Sequence, residues 1–406
     1  MKCVAAVERT LQRRELRVLA ILGVPTFALA LAITTVSTYL PVLAERFSDS
    51  SIVIGLLIGG EGLMALWLPL AVGTWSDRLE TPIGSRLPFI LAATFPLVLA
   101  LAVLGFVRSI WLAAIVMAVF FAAYFVAYEP YRALYPDLMD DEIAGRAQSS
   151  QAIFRGLGTF LALLGGGLLF SISAPLPFVA AAIIVGASLT SFTLVGIRRR
   201  RRAEPRREEH VGDVAKRVVD IVRGDRPLQA FLVANALWEL ALAALKTFVV
   251  LWATKTLGFS LAGSSGAIAA GAAIVLVGAL VSGPLGDKHG RVRVMRYSLV
   301  LYGVGLLVPF LTTATLPLLL CVPLVAFGGG VTMSLPYALL MPMMPQGQHG
   351  AVTGLYSVSR GLGTSLGPLL GGIALQAAGE DYKWVWLVCA LAILLSIPAM
   401  RPLHDD

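Results

Sequence analysis

The feature that most constrains this chain is a series of apolar runs too long for a soluble core. A helix needs about 20 mostly apolar residues to cross the hydrocarbon of a bilayer. Such runs lie at 18–44, 52–74, 87–107, 111–136, 148–172 and 176–197, then at 228–253, 263–284, 294–313, 316–341, 348–376 and 382–400. Their continuous apolar character lacks the alternation of a strand, which favours helices over a membrane barrel. The sequence therefore predicts an all-α membrane protein with twelve transmembrane helices. Composition agrees, at 57% hydrophobic and 14% charged residues, against about 45–50% and about 25% in a soluble domain. The first run is too long for a cleavable signal peptide, and no small-residue cleavage site follows it promptly.

Basic residues then orient the chain. With the termini and even-to-odd loops on one side, that side holds 24 Lys and Arg, and the other holds only Arg46, Arg108, Lys255 and Lys383. The remaining four, Arg132, Arg155, Lys246 and Arg360, fall inside spans. The positive-inside rule places both termini in the cytoplasm, in a multi-pass cell membrane of the bacterial inner-membrane type. The formal charge of +8 is thus mainly topological and gives no support to nucleic-acid binding. The bilayer is the partner it reports.

The two halves repeat each other. Arg155-Gly156-Leu157-Gly158-Thr159 recurs as Arg360-Gly361-Leu362-Gly363-Thr364, 205 residues later. Pro130-Tyr131-x-x-Leu134-x-Pro136 recurs as Pro336-Tyr337-x-x-Leu340-x-Pro342 at an offset of 206, and Gly73-x-x-x-Asp77-Arg78 as Gly283-x-x-x-Asp287-Lys288 at 210. Six spans separate the equivalents, so the repeat is parallel, about an axis along the membrane normal. This divides the chain into a six-helix bundle at 1–197, a basic linker at 198–227 and a second six-helix bundle at 228–406. The linker opens with arginines at 198–202 and carries Val211, Val214, Val218, Ile221 and Val222 at helical spacing. That pattern predicts an amphipathic helix on the membrane surface.

The motif Gly73-Thr74-Trp75-Ser76-Asp77-Arg78, continuing to Gly84-Ser85-Arg86, resembles the loop between spans 2 and 3 of the major facilitator superfamily. Gly283-Pro284-Leu285-Gly286-Asp287-Lys288-His289-Gly290-Arg291 is similar to its copy between spans 8 and 9. The resemblance implies secondary transport by alternating access. Two further stretches, Arg86-Leu87-Pro88-Phe89-Ile90 and Pro130-x-Arg132-Ala133-Leu134-x-x-Asp137-Leu138, resemble the glycoside–cation symporters and sucrose transporters. The span-1 histidine and the dense arginine run of those sugar carriers are missing here.

An ionised side chain at mid-membrane costs roughly 2.5–3.5 kcal/mol on insertion scales, so each should have a partner or a function. Seven such residues remain: Glu61, Glu129, Arg132, Arg155, Glu239, Lys246 and Arg360. Glu129 and Arg132 are three apart on one helix face and, with Arg155, form the expected proton-coupling group. A permanent ion pair joining spans 4 and 5 is the competing reading of the same residues. Asn235, Glu239 and Lys246 share a face of span 7, with Trp238 adjacent. Together with Glu61 and Arg360 these are the expected substrate-binding residues, unless they simply satisfy one another across helices. Asp77, Arg78, Asp287, Lys288 and Arg291 in the loop motifs are the expected cytoplasmic gate, through helix capping and carboxylate–arginine bonds.

Gly158, Ala162 and Gly166 recur at four-residue steps, as do Gly363, Gly367 and Gly371, the spacing that lets helices approach closely. His210, His289, His349 and His404 and the three cysteines give no metal-ligand spacing and no catalytic triad. No cofactor, metal or enzymatic activity is expected. The first functional expectation is proton-coupled uptake of a small sugar-like or other polar solute by a monomer, with sodium as the alternative ion. Efflux of an amphipathic drug or metabolite is the second, favoured by Phe231, Trp238 and the methionines Met341, Met343 and Met344. A non-transporting assembly factor on the same fold is the third, and the buried charges argue against it.

Overall fold

The computed structural model describes residues 2–79, 81–138, 144–198, 224–343 and 349–405. Twelve long helices account for nearly all of them: α1 (Lys2–Ala44), α2 (Ser51–Arg78), α3 (Leu87–Leu104), α4 (Ile110–Leu138), α5 (Ala144–Ile172) and α6 (Leu176–Arg198), then α7 (Arg226–Lys255), α8 (Leu261–His289), α9 (Arg291–Leu311), α10 (Thr315–Leu340), α11 (His349–Ala377) and α12 (Lys383–Ala399). Each predicted span has its helix. Ten are long and apolar enough to cross a membrane by length and composition, and α12 is a shorter apolar helix. The predicted surface helix at 211–222 lies outside the described residues.

The start of α1 shows where hydropathy and helix formation diverge. The apolar run begins near 18, yet the helix begins at Lys2. Residues such as Lys2, Glu8, Gln12 and Arg13 are strong helix formers although they are not apolar. Elsewhere local chemistry sets the ends. Ser50 accepts from the Val53 N–H to cap α2, and Ser260 accepts from the Gly263 N–H to cap α8. These two serines are 210 residues apart, so the caps repeat as the motifs do.

Packing repeats helix by helix. In the first half α1 packs on α5 and α6, α3 on α4 and α6, and α2 on α4. In the second, α7 packs on α11 and α12, α9 on α10 and α12, and α8 on α10. Adding six to each number of the first set gives the second. Between halves, α2 meets α11, α5 meets α8, and α1 meets α7. The same addition exchanges the first two pairs and leaves the third unchanged, which is two-fold symmetry with α1 and α7 nearest the axis.

Small residues permit these contacts. A side chain at Gly158 would strike the Phe27 carbonyl of α1, and one at Gly363 the Ala236 carbonyl of α7. Gly166 makes room for the Tyr39 ring and Gly371 for the Phe248 ring, again in matching positions. Gly55, Gly59 and Gly62 of α2 lie against the backbone of Pro368, Ser365 and Gly361 in α11. The outer surface stays apolar: Phe95, Trp111, Ile172 and Leu311 are each about three-quarters exposed. Water would penalise so many large exposed side chains, whereas lipid does not.

Candidate functional site

The charged residues inside the spans, Lys246 apart, are linked by hydrogen bonds and electrostatic range where the halves face each other. Span 4, now α4, carries Tyr124 and Tyr128 on one face, four residues apart, and Glu129 follows Tyr128 directly. Tyr128 stacks on Tyr124, with ring centroids 5.4 Å apart and planes 15° apart. From α5, Arg155 donates through Nη2 to the Tyr128 hydroxyl at 3.0 Å. In the other half, Arg360 of α11 donates through Nε to Glu239 Oε1 of α7 at 2.8 Å. Its guanidinium lies 5.9 Å from the Tyr356 ring centroid, one turn earlier on the same helix. Tyr356 stacks on Phe231 and meets Tyr337 edge-on.

Each half therefore offers an arginine set against a tyrosine that stacks on a second aromatic ring. The units are neighbours. Glu129 sits in the field of Arg132 and of Arg360 from the opposite half, and Arg360 is also within electrostatic range of Tyr128. Tyr356 in turn senses Arg132. Tyr124 lies within range of Glu61, Arg155 and Glu129, which brings α2 to the same space. Arg132 and Arg155 are exposed, Arg360 is about half exposed, and Glu61, Glu129 and Lys246 are half-buried. Charges so placed in the middle of long apolar helices require a polar cavity rather than lipid around them.

Not every predicted residue joins that space. Asn235 is buried and donates to Ser359 at 2.7 Å. Trp238 is also buried, its indole N–H donating to Ser396 of α12 at 2.8 Å. Both use their polar atoms to join helices within the second half. Glu129 makes no ion pair within 4.0 Å among the described residues, and the Arg155–Tyr128 hydrogen bond joins α5 to α4.

At the loop motifs, Asp287 pairs with Arg291 at 3.0 Å on an exposed surface, and Arg291 also donates to the Ala338 carbonyl of α10 at 3.1 Å. Lys288 is exposed, and the side chains of Asp77 and Arg78 lie outside the description. The free N–H groups at the start of α9 go to Asp405 in the C-terminal tail, which accepts from Val292 and Arg293. Gly290, at φ 92°, makes the turn that lets this happen; a side chain there would strike Asp405.

Sequence reading passed over the tyrosines. Tyr124 and Tyr128 are four residues apart with Glu129 directly after the second, and Tyr356 precedes Arg360 by four residues. That spacing was the available signal. Also unanticipated was a polar cluster at the opposite face from the termini, where Lys255 meets Glu45 at 3.0 Å. Burial, and then the Glu45 carboxylate that accepts its hydrogen bond, push the Tyr382 phenol well above the usual tyrosine range. Beside it, despite some desolvation, hydrogen bonds from Lys383 hold the Asp381 carboxyl below the usual carboxylate range.

The sequence profile of the Major Facilitator Superfamily matches residues 22–282 and 248–404. The chain is 30% identical over 254 residues to the tetracycline resistance protein, class G, of Vibrio anguillarum. That match covers 58% of this chain and 60% of the relative's length. Among solved structures, a bacterial homolog of the human lysosomal transporter Spinster, inward-facing and occupied, superposes with a TM-score of 0.76 at 14% identity, covering 95% of both chains. The nucleoside transporter NupG gives 0.75 at 16% identity, over 95% of this chain and 98% of that one. At such identities the likeness is one of fold.

Proposed function

Since this chain belongs to the major facilitator superfamily and is a multi-pass transporter rather than an enzyme, we propose that it moves a small amphipathic solute through the cavity between its halves, by alternating access and in exchange for protons. The observation that carries this reading is the pair of arginine–tyrosine units facing each other across the halves. Flat aromatic faces beside fixed charges suit a solute with a ring system and a polar or charged edge. Export is the direction favoured by the resistance protein of Vibrio anguillarum, and the side bearing the termini is the cytoplasmic side on the count of basic residues.

In this scheme Glu129, with Arg132 and Arg155 around it, carries the proton. A nearby guanidinium favours the carboxylate. Rocking one half against the other alters how close Arg360 stands to Glu129, which ties proton exchange to the conformational cycle. Arg360, Glu239 and Lys246 with Tyr356 form the solute's contacts in the second half, and Glu61 with Tyr124 and Tyr128 those in the first. The loop-motif residues Asp287, Lys288 and Arg291, with Asp77 and Arg78 of the first copy, latch the face bearing the termini. Such a latch must break once per cycle, so a modest strength is suitable.

Uptake of a sugar or other polar solute uses the same groups and is favoured by one observation, the Arg155–Tyr128 and Arg360–Glu239 hydrogen bonds, whose donors and acceptors suit a polyhydroxy solute. Vesicles of known orientation, given an imposed pH gradient and labelled tetracycline, nucleosides and disaccharides, separate the two directions. Glu129→Gln should abolish gradient-driven accumulation and spare solute exchange at equilibrium. Full accumulation by that variant would remove Glu129 from proton coupling.

A further inference from the structure

At the face opposite the termini the halves are stitched together by side chains that follow or precede helices. Glu45, just after α1, is met by two groups of the second half at once. Lys255 Nζ, at the end of α7, reaches its Oε2 at 3.0 Å, and the Tyr382 hydroxyl, just before α12, donates to its Oε1. Beside them Ser50 donates to Gln376 Oε1 at 2.8 Å, and Ser51 donates to Glu380. Deeper in the same seam Tyr39 donates to Ser265 at 3.2 Å. Glu380 is held at φ 65° directly after Gly379 at φ 69°. A non-glycine residue in that left-handed region is strained, and here the strain delivers its carboxylate to Ser51.

Glu45 and Lys255 lie at the ends of the two helices nearest the two-fold axis, but they are not equivalent positions of the repeat. Gly158 and Gly363 lie against Phe27 and Ala236, and Gly166 and Gly371 against Tyr39 and Phe248, which sets the offset between α1 and α7 at 209. Arg46 is therefore the counterpart of Lys255, and Thr254 that of Glu45. Across the axis the acid of one helix end meets the base of the other, one residue out of register, and the contact becomes an attachment between halves.

We infer that Glu45 and Lys255, with Tyr382 as the second donor, form the lock of this face, whose opening admits or releases solute there. The inference rests on the alternating-access reading above. Lys255 is more than half exposed and Glu45 largely covered, and a pair so exposed biases an equilibrium by about two- to fivefold. That strength suits a lock opened in every cycle. The cleft around it, about 570 Å³, is lined by Ser48, Asp49, Ile54, Thr256 and Asp381 among others. Asp49, Glu380, Asp381 and Lys383 are the further charged groups nearby, and none of them pairs with Lys255 among the described contacts.

The test is the accessibility of a cysteine introduced beneath the lock as Ile54→Cys, with Cys3, Cys321 and Cys389 replaced by alanine and the full chain in lipid nanodiscs. In this arrangement both faces are open to solvent. Ile54 is buried in the closed face. Glu45→Gln and Lys255→Gln should each speed maleimide labelling by about two- to fivefold, and Glu45→Lys by more. Combining Glu45→Lys with Lys255→Glu should return the rate to that of the parent. Unchanged rates in the single variants, or a double exchange labelling as fast as Glu45→Lys alone, would overturn the lock. If a charge variant does not elute as a monodisperse peak, Tyr382→Phe decides, with faster labelling expected and an unchanged rate counting against the proposal. Labelling needs no transport, so inactive vesicles with the expected labelling pattern leave the lock standing and fault only the solute assignment.

Discussion

The two halves share packing and differ in what their equivalent polar residues do. Gly158 and Gly363 each lie against a helix carbonyl, of Phe27 and Ala236. Arg155 and Arg360, three residues earlier, are also equivalent by sequence, yet one bonds a neutral tyrosine and the other a carboxylate. The divergence is greater at Tyr131 and Tyr337. Tyr131 is buried and donates to the Leu22 carbonyl beside Thr26, fixing α4 to α1. Tyr337 is partly exposed and meets Tyr356 at the cavity. Duplication thus preserved the backbone contacts that make the fold. Side chains on the facing surfaces were free to specialise, because a cavity imposes less steric constraint than a packed helix crossing.

The most damaging way to probe this comparison is at the shared contacts. Gly158→Val and Gly363→Val each force a branched side chain into backbone, and each should cost about 3 kcal/mol. Both variants should lose most folded protein in detergent, measured by fluorescence-detected gel filtration, to a similar extent. A well-folded Gly363→Val beside a collapsed Gly158→Val would show that the packing is less symmetric than the repeat.

The arginines should respond unequally. Arg360→Ala leaves Glu239, largely buried, without its partner, which should cost about 2 kcal/mol once its partial solvent exposure is discounted. Arg155→Ala removes one hydrogen bond to a neutral hydroxyl, worth about 1 kcal/mol. Thermal unfolding of the two variants, and of Arg360→Ala combined with Glu239→Gln, reads the difference. The combined variant should recover part of the loss, and equal losses for both single variants would erase the distinction drawn between the halves.

The smallest effect belongs to the tyrosine pair. Tyr131→Phe withdraws a donor from a buried carbonyl and should lower stability by about 1 kcal/mol. Tyr337→Phe should stay within about 0.5 kcal/mol, with any change appearing in solute affinity. The same unfolding measurement, with a binding titration for Tyr337→Phe, checks both.

Twelve spans, their order and the parallel repeat were legible in the sequence. Hydropathy is summed along the chain and a twenty-residue run needs no knowledge of its neighbours. The costly charges were legible for the same reason, since burial in a span penalises them wherever they point. What each of them touches was not legible. Glu129 and Arg132 are adjacent on a helix, yet the base from the opposite half that lies near Glu129 is Arg360, 231 residues away in sequence. Trp238 and Asn235 read equally well as cavity residues or as internal ties, and only the positions of Ser396 and Ser359 show where their hydrogen bonds go. Glu45 and Lys255 looked like two isolated charges on a sparsely charged face. Their meeting depends on the two-fold axis passing between α1 and α7, a property of how the halves dock. Sequence fixes local energies residue by residue. Which charge faces which is decided by the rotation of each helix about its own axis and by the approach of one half to the other, and these exist only in the folded molecule.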